Sequence, residues 1–149
     1  MYLVASELKH KSYKMFQTKE PKDDGKYQWT NHVKDKMRYY RISESLVKRV
    51  VRFPKRIEEG IAPGTTAAMM PRLIGSQKVE IKAKPKFGGR RSNQEEIWVM
   101  YVDVGKKSDS LMATQKKRII TAWRYPGVSP IGKEIPIPDD IRSEIENIQ

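Results

Sequence analysis

The sequence predicts an α+β domain in which two short helices pack on one face of an antiparallel β-sheet and a short helix closes the chain. Two observations lead there. Apolar residues repeat at helical spacing between residues 29 and 51, and the chain after residue 56 turns to runs rich in Val, Ile, Thr, Trp and Tyr. Helices first and strands afterwards is the order that segregates helices to one side of an antiparallel sheet. The other face is then expected to be open to a ligand. A length of 149 residues points to one domain with one core.

The elements follow in order. Residues 1–28 form a leader, in which YLVA is a possible edge strand and KEPKDDGK is a connector broken by Pro21 and Gly25. Thr30 or Asn31 caps a first helix. Trp29, Val33, Met37 and Tyr40 form its apolar stripe, and His32, Lys36 and Tyr39 a neighbouring one. Ser43 caps a second helix with Glu44 in its first turn. Leu46, Val47, Val50 and Val51 face inward, Lys48, Arg49, Arg52 and Lys55 face outward, and Pro54 stops it.

Residues 56–62 are a short strand candidate. Residues 67–74 are ambiguous because Pro71 cannot donate to a ladder. Residues 77–83 alternate cleanly as a strand, and KPKFGGRRSNQEE reads as a long basic loop. Residues 97–104 are apolar on both faces, as in a central strand, and 117–125 form another strand. The tail, 128–149, is acidic, and Asp139 or Asp140 caps a last helix carrying Ile141, Ile145 and Ile148.

Charge carries the functional information. The chain has 30 Lys and Arg against 18 Asp and Glu, a net charge of +12. Residues 29–56 alone hold nine basic and two acidic side chains, whereas 126–149 hold two and five. This asymmetry marks a face suited to a polyanion, with RNA as the expected partner. No apolar run approaches the roughly 20 residues of a membrane span. The first residues are too weakly apolar for a signal peptide. Those features and the absence of cysteine give a cytoplasmic expectation with no membrane partner. With no cysteine and only His10 and His32 as histidines, neither a metal site nor a cofactor is expected. Phosphate contacts are assigned to Lys48, Arg49, Arg52, Lys55 and Arg56, with loop residues Lys84, Lys86, Arg90 and Arg91 as further grips.

The phrase HVKDKMRYYRISESLVKRVVRFPKRIEE resembles the helical half of the BrnT-like and RelE-like toxin superfamily, and of one toxin-like domain family within it. EIWVMYVDV and KKRIITAWRYPG resemble that family's last two strands. The resemblance covers residues 29–127, which are taken as the domain. The chain departs from the family pattern at Lys36-Met37, where Arg-Met is usual, and at Tyr40-Arg41, where Arg-Gly is usual. A Gly there accepts a left-handed backbone easily, and Arg41 does so at a cost. Residues 84–94 look like an insertion.

The resemblance implies metal-independent endoribonuclease activity of toxin–antitoxin type, with an acidic antitoxin as a possible second partner. Such cleavage needs a base for the ribose 2′-OH, cations for the phosphorane and an acid for the leaving oxygen. His32 is the one histidine of residues 29–127 and can exchange protons near neutral pH. Lys36 lies one turn further on. Arg124 and Tyr125 complete the expected catalytic group, with Arg118 and Thr121 behind them. Strand alternation would put Arg118 and Arg124 on one face and Thr121 and Tyr125 on the other. The alternative from the same residues is a non-catalytic nucleic-acid-binding module that needs only the basic face.

Overall fold

A computed structural model of the chain describes residues 19–73, 94–105 and 115–147. Its elements are β1 (Tyr27–Trp29), α1 (Asn31–Tyr40), α2 (Glu44–Arg52), β2 (Arg56–Glu59), β3 (Thr66–Leu73), β4 (Gln94–Val104), β5 (Lys116–Pro126) and α3 (Asp139–Glu146). The α+β class is as expected. The YLVA strand, the 77–83 strand, Ile148 and the loop bases Lys84, Lys86, Arg90 and Arg91 lie outside the described residues.

Both early helices occupy the expected spans, because their caps are local. Thr30 Oγ1 accepts from Val33 N, and Ser43 Oγ accepts from Leu46 N, each cap worth about 1 kcal/mol. Arg41 ends α1 in the left-handed region at φ 55°. That geometry sends Ile42 N back to Met37 O and lets Ser43 cap α2 two residues later.

The sheet has five strands in the order β1-β5-β4-β3-β2 and is mixed rather than antiparallel. The correction comes from β1, which runs parallel to β5 and draws Tyr27 and Gln28 out of the expected leader. Asp23 and Asp24 make this possible by accepting backbone N–H groups of Trp29, Lys26 and Tyr27. Gln94, Glu95 and Glu96, read as loop, begin β4 instead. Their partners Leu73, Arg72 and Pro71 extend β3 alongside them.

Pro71 is tolerated for a reason of register. Met69 O accepts from Lys55 N, so Met69 and Pro71, two residues apart, turn backbone groups to the same side. At Pro71 that side has no strand, because β2 begins opposite Met69. The missing N–H therefore breaks no ladder bond.

Two cores sandwich the sheet. On one face, Val33 and Met37 of α1 and Val47, Val50 and Val51 of α2 pack with Ala68, Ile97, Val99, Ile119 and Ala122. Within this layer α2 touches β3 and β4, while α1 runs beside β5. Helix α1 takes over the β5 edge where β1 stops. Thr30 Oγ1 donates to Ile119 O and Ile120 O at one end, and Arg124 donates to Tyr40 O at the other.

The second face is not open. Residues 129–145 cross it and bury Ile141 and Ile145 against Trp98, Met100 and Trp123. The two indoles stack at 6.0 Å and 4°. Trp123 Nε1 donates to Pro136 O at 2.9 Å, tying the crossing segment down. Glu96, 1% exposed, accepts from Trp98 Nε1 and from both N and Oγ of Ser129.

Candidate nucleic-acid interface

Three of the expected catalytic residues meet. His32 Nε2 lies 3.0 Å from Thr121 Oγ1, and His32 Nδ1 lies 2.7 Å from Glu144. Lys36 Nζ donates to Asp140 at 2.7 Å and to Glu144 at 3.2 Å. The acidic helix α3 thus takes up Nδ1 of the ring and the ammonium, and Thr121 of β5 takes up Nε2. Nothing in the sequence pairs α1 with α3. Only the apolar face of α3, set on the Trp98–Trp123 layer, brings Asp140 and Glu144 within reach.

The remaining three are elsewhere. Arg124 donates to Tyr40 O, to Arg41 O at 2.7 Å and to Glu95. It secures the end of α1, eight residues from His32 and so about 12 Å along the helix axis. His32 and Arg124 therefore do not converge on one phosphate. Tyr125 packs half-buried against the second core. Arg118 is exposed and donates to Gln28 Oε1.

The expected shared face of Arg118 and Arg124 is also corrected. The ladder slips between Met100 and Tyr101, with Met100 opposite Thr121 but Tyr101 opposite Ile119. Ile120 is the extra residue of a bulge. One extra residue inverts the alternation beyond it, so Arg118 and Arg124 lie on opposite faces.

The charges of this junction set a pH dependence. Burial holds the His32 imidazole below its usual 6.5, against the pull of the Glu144 carboxylate. Burial works to raise Asp140, but the bonds and charge of Lys36 outweigh it and hold the carboxyl below its usual 3.8. Burial likewise opposes the Lys36 ammonium, and Asp140 and Glu144 still lift it above its usual 10.5. The unfolded chain protonates His32 more readily, so stability falls as pH drops through 6.5. The Asp140 contribution is lost below pH 3.8, and that of Lys36 above 10.5. Denaturation midpoints measured from about pH 7 to about pH 5 are expected to decline in the wild type and to flatten in His32→Gln. A wild type with no decline over that range would contradict the burial of His32.

The expected phosphate contacts divide in two. Lys48 pairs with Glu44 at 2.7 Å and Asp24 at 3.6 Å. Arg56 is held by Glu58, Ser129 and Pro130 O, with its guanidinium 5.3 Å from the Trp98 ring centroid. These two make internal contacts. Lys55, Arg49 and Arg52 are exposed, and none has an acidic partner among the described residues. Arg52 reaches only the Tyr27 hydroxyl, at 3.3 Å.

Arg49 lines a groove of about 450 Å³ together with Arg72, Ser43, Ser45, Leu46 and Leu73. Arg72 is an addition to the sequence reading, also exposed and without an acidic partner among the described residues. It was hidden in the segment made ambiguous by Pro71. The groove offers two guanidinium groups and two hydroxyls beside apolar surface from Leu46 and Leu73, a combination that can take a phosphate and an adjacent base. Comparison of the chain with protein-family models, with curated proteins and with solved structures finds no match to any of them.

Proposed function

We propose that this chain is a non-catalytic RNA-binding module that holds the phosphate backbone on the outer face of α2 and in the groove beside it. The observation that carries the proposal is the partition of its charge. On α1, Lys34, Lys36 and Arg38 all have carboxylate partners, whereas Arg49, Lys55 and Arg72 around α2 and β3 have none among the described residues. Guanidinium groups free of internal partners can exchange counterions for phosphates. The chain leaves the sheet at Leu73 and returns at Gln94, beside Arg72 and at the same end as the groove.

The toxin-like arrangement suggested by the helical words and the last two strands belongs to the same proposal, with the basic face kept for binding. Two contacts favour binding over cleavage. Helix α3 engages His32 and Lys36, and Arg124 serves the end of α1. An acidic antitoxin would meet His32 and Lys36 already satisfied, so RNA is the partner named here.

Affinity for a single-stranded RNA should fall steeply with salt. For about five neutralised phosphates, log K against log salt should have a slope of roughly −3.5. Arg49→Glu with Arg72→Glu should weaken binding at least about tenfold and make the slope shallower by roughly 1.4. Affinity that is flat in salt, or unchanged in the double variant, would count against the proposal. RNA fragments ending in 2′,3′-cyclic phosphate, formed by wild type but not by His32→Ala, would overturn its non-catalytic part.

A further inference from the structure

The sheet ends on one side at β2, and among the described residues nothing pairs with the outer edge of that strand. Edge strands are usually blunted by charged side chains, Lys above all, or by Pro. This one carries Lys55-Arg56-Ile57-Glu58-Glu59, two bases and two acids placed symmetrically about an isoleucine. Ile57 is 59% exposed, and nearby Phe53 is 69% exposed.

The backbone directions can be read from the ladder. Gly60 N donates to Thr65 O, continuing the register in which Arg56 opposes Met69 and Glu59 opposes Thr66. Hydrogen-bonded and non-bonded pairs alternate along an antiparallel ladder. Glu58 therefore turns its backbone groups toward β3, and Ile57 and Glu59 turn theirs outward.

We propose that β2 is the seam of a homodimer, formed when two copies pair β2 with β2 antiparallel about a twofold axis at Ile57. The twofold keeps equivalent faces together, so Ile57 meets its own counterpart. Lys55 then opposes Glu59 of the second copy, and Arg56 opposes its Glu58. Every charge faces its opposite, with Arg56 and Glu58 keeping the ion pair they already form within each chain, where a parallel pairing or a slip by two residues would set like charges together. The outward amides and carbonyls of Ile57 close two bonds across the axis. Each Glu59 N–H finds the carbonyl of Lys55 in the other copy. Lys55 N, already held by Met69 O, is not needed. The two five-stranded sheets become one of ten strands, and Phe53 and Ile57 of both copies share one apolar strip. The inference rests on the edge alone, and Lys55 is the one residue it shares with the proposed RNA face.

The seam is short beside the roughly 1,200 Å² or more of stable interfaces, so a dissociation constant on the order of 100 μM is expected. Sedimentation equilibrium of the full chain, freed of nucleic acid and at low ionic strength, should show a species of twice 17.3 kDa growing with concentration. Ile57→Lys, which sets two ammonium groups on the axis at an exposed position, should be monomeric with an unchanged circular dichroism spectrum. Lys55→Glu should weaken the dimer about tenfold, and Lys55→Glu with Glu59→Lys should restore it, because each opposed pair occurs twice and the swap recreates it. A wild type monomeric up to about 1 mM overturns the proposal. So does a dimer indifferent to Ile57→Lys, and so does a charge swap that fails to restore association.

Discussion

Trp123→Ala is expected to destabilise the protein by about 4 kcal/mol, the range found when a buried indole is deleted and its space only partly collapses. Trp123 is fully buried and stacked on Trp98, and it holds Pro136 O through Nε1. Its loss removes both the apolar seat of residues 129–145 and the bond that fastens them. Denaturant titration should show the full loss in the midpoint, and Trp123→Phe should recover part of it. A loss below about 1 kcal/mol would mean that the crossing segment contributes little to the fold. The variant also bears on the junction beneath. Asp140 and Glu144 reach Lys36 and His32 only because Ile141 and Ile145 are seated on the indoles. In Trp123→Ala the stability step near pH 6.5 should shrink together with the overall stability.

Arg124→Ala is expected to be nearly as damaging, at about 3 kcal/mol. The side chain satisfies Tyr40 O and Arg41 O, the backbone groups at the end of α1, and pairs with Glu95, whose side chain is 12% exposed. Removing the cation strands a shielded carboxylate and two carbonyls together. Arg124→Lys should not restore stability, since one ammonium cannot reproduce the fork that reaches three acceptors. Adding Glu95→Gln to Arg124→Ala should cost less than the sum of the single changes, because the stranded charge is then gone. Strict additivity would show that the pair is not coupled.

Arg41 connects these two readings of the same corner. The tight turn from α1 to α2 requires a left-handed residue there, and a glycine would supply it without strain. An arginine in its place leaves a turn that must be held from outside, and Arg124 holds it through Arg41 O. Arg124 was expected to act on phosphate. In the structure it clamps the turn through Tyr40 O and Arg41 O.

By itself, the sequence determined whatever depends on neighbours a few residues apart. Helices α1 and α2 begin at Thr30 and Ser43 because the hydroxyl of each cap meets an amide three residues on. Strand β4 was legible from residues apolar on both faces, since a central strand is buried on both, and β5 from its Ile, Thr, Trp and Tyr. The basic face was legible as a charge excess. The tertiary structure alone decided what depends on register and long-range docking. One bulge at Ile120 reversed the faces of Arg118 and Arg124, which no local pattern announces. A three-residue strand, too short to show a period, made the sheet mixed. The acidic tail was legible as a short helix carrying isoleucines, but not where that helix docks. It covers the second face because its isoleucines, spaced one helical turn apart, find the two stacked indoles of Trp98 and Trp123 on neighbouring strands. That docking, and not any pairing visible along the chain, places carboxylates on His32 and Lys36, while Arg49 and Arg72 line the groove with no acidic partner among the described residues.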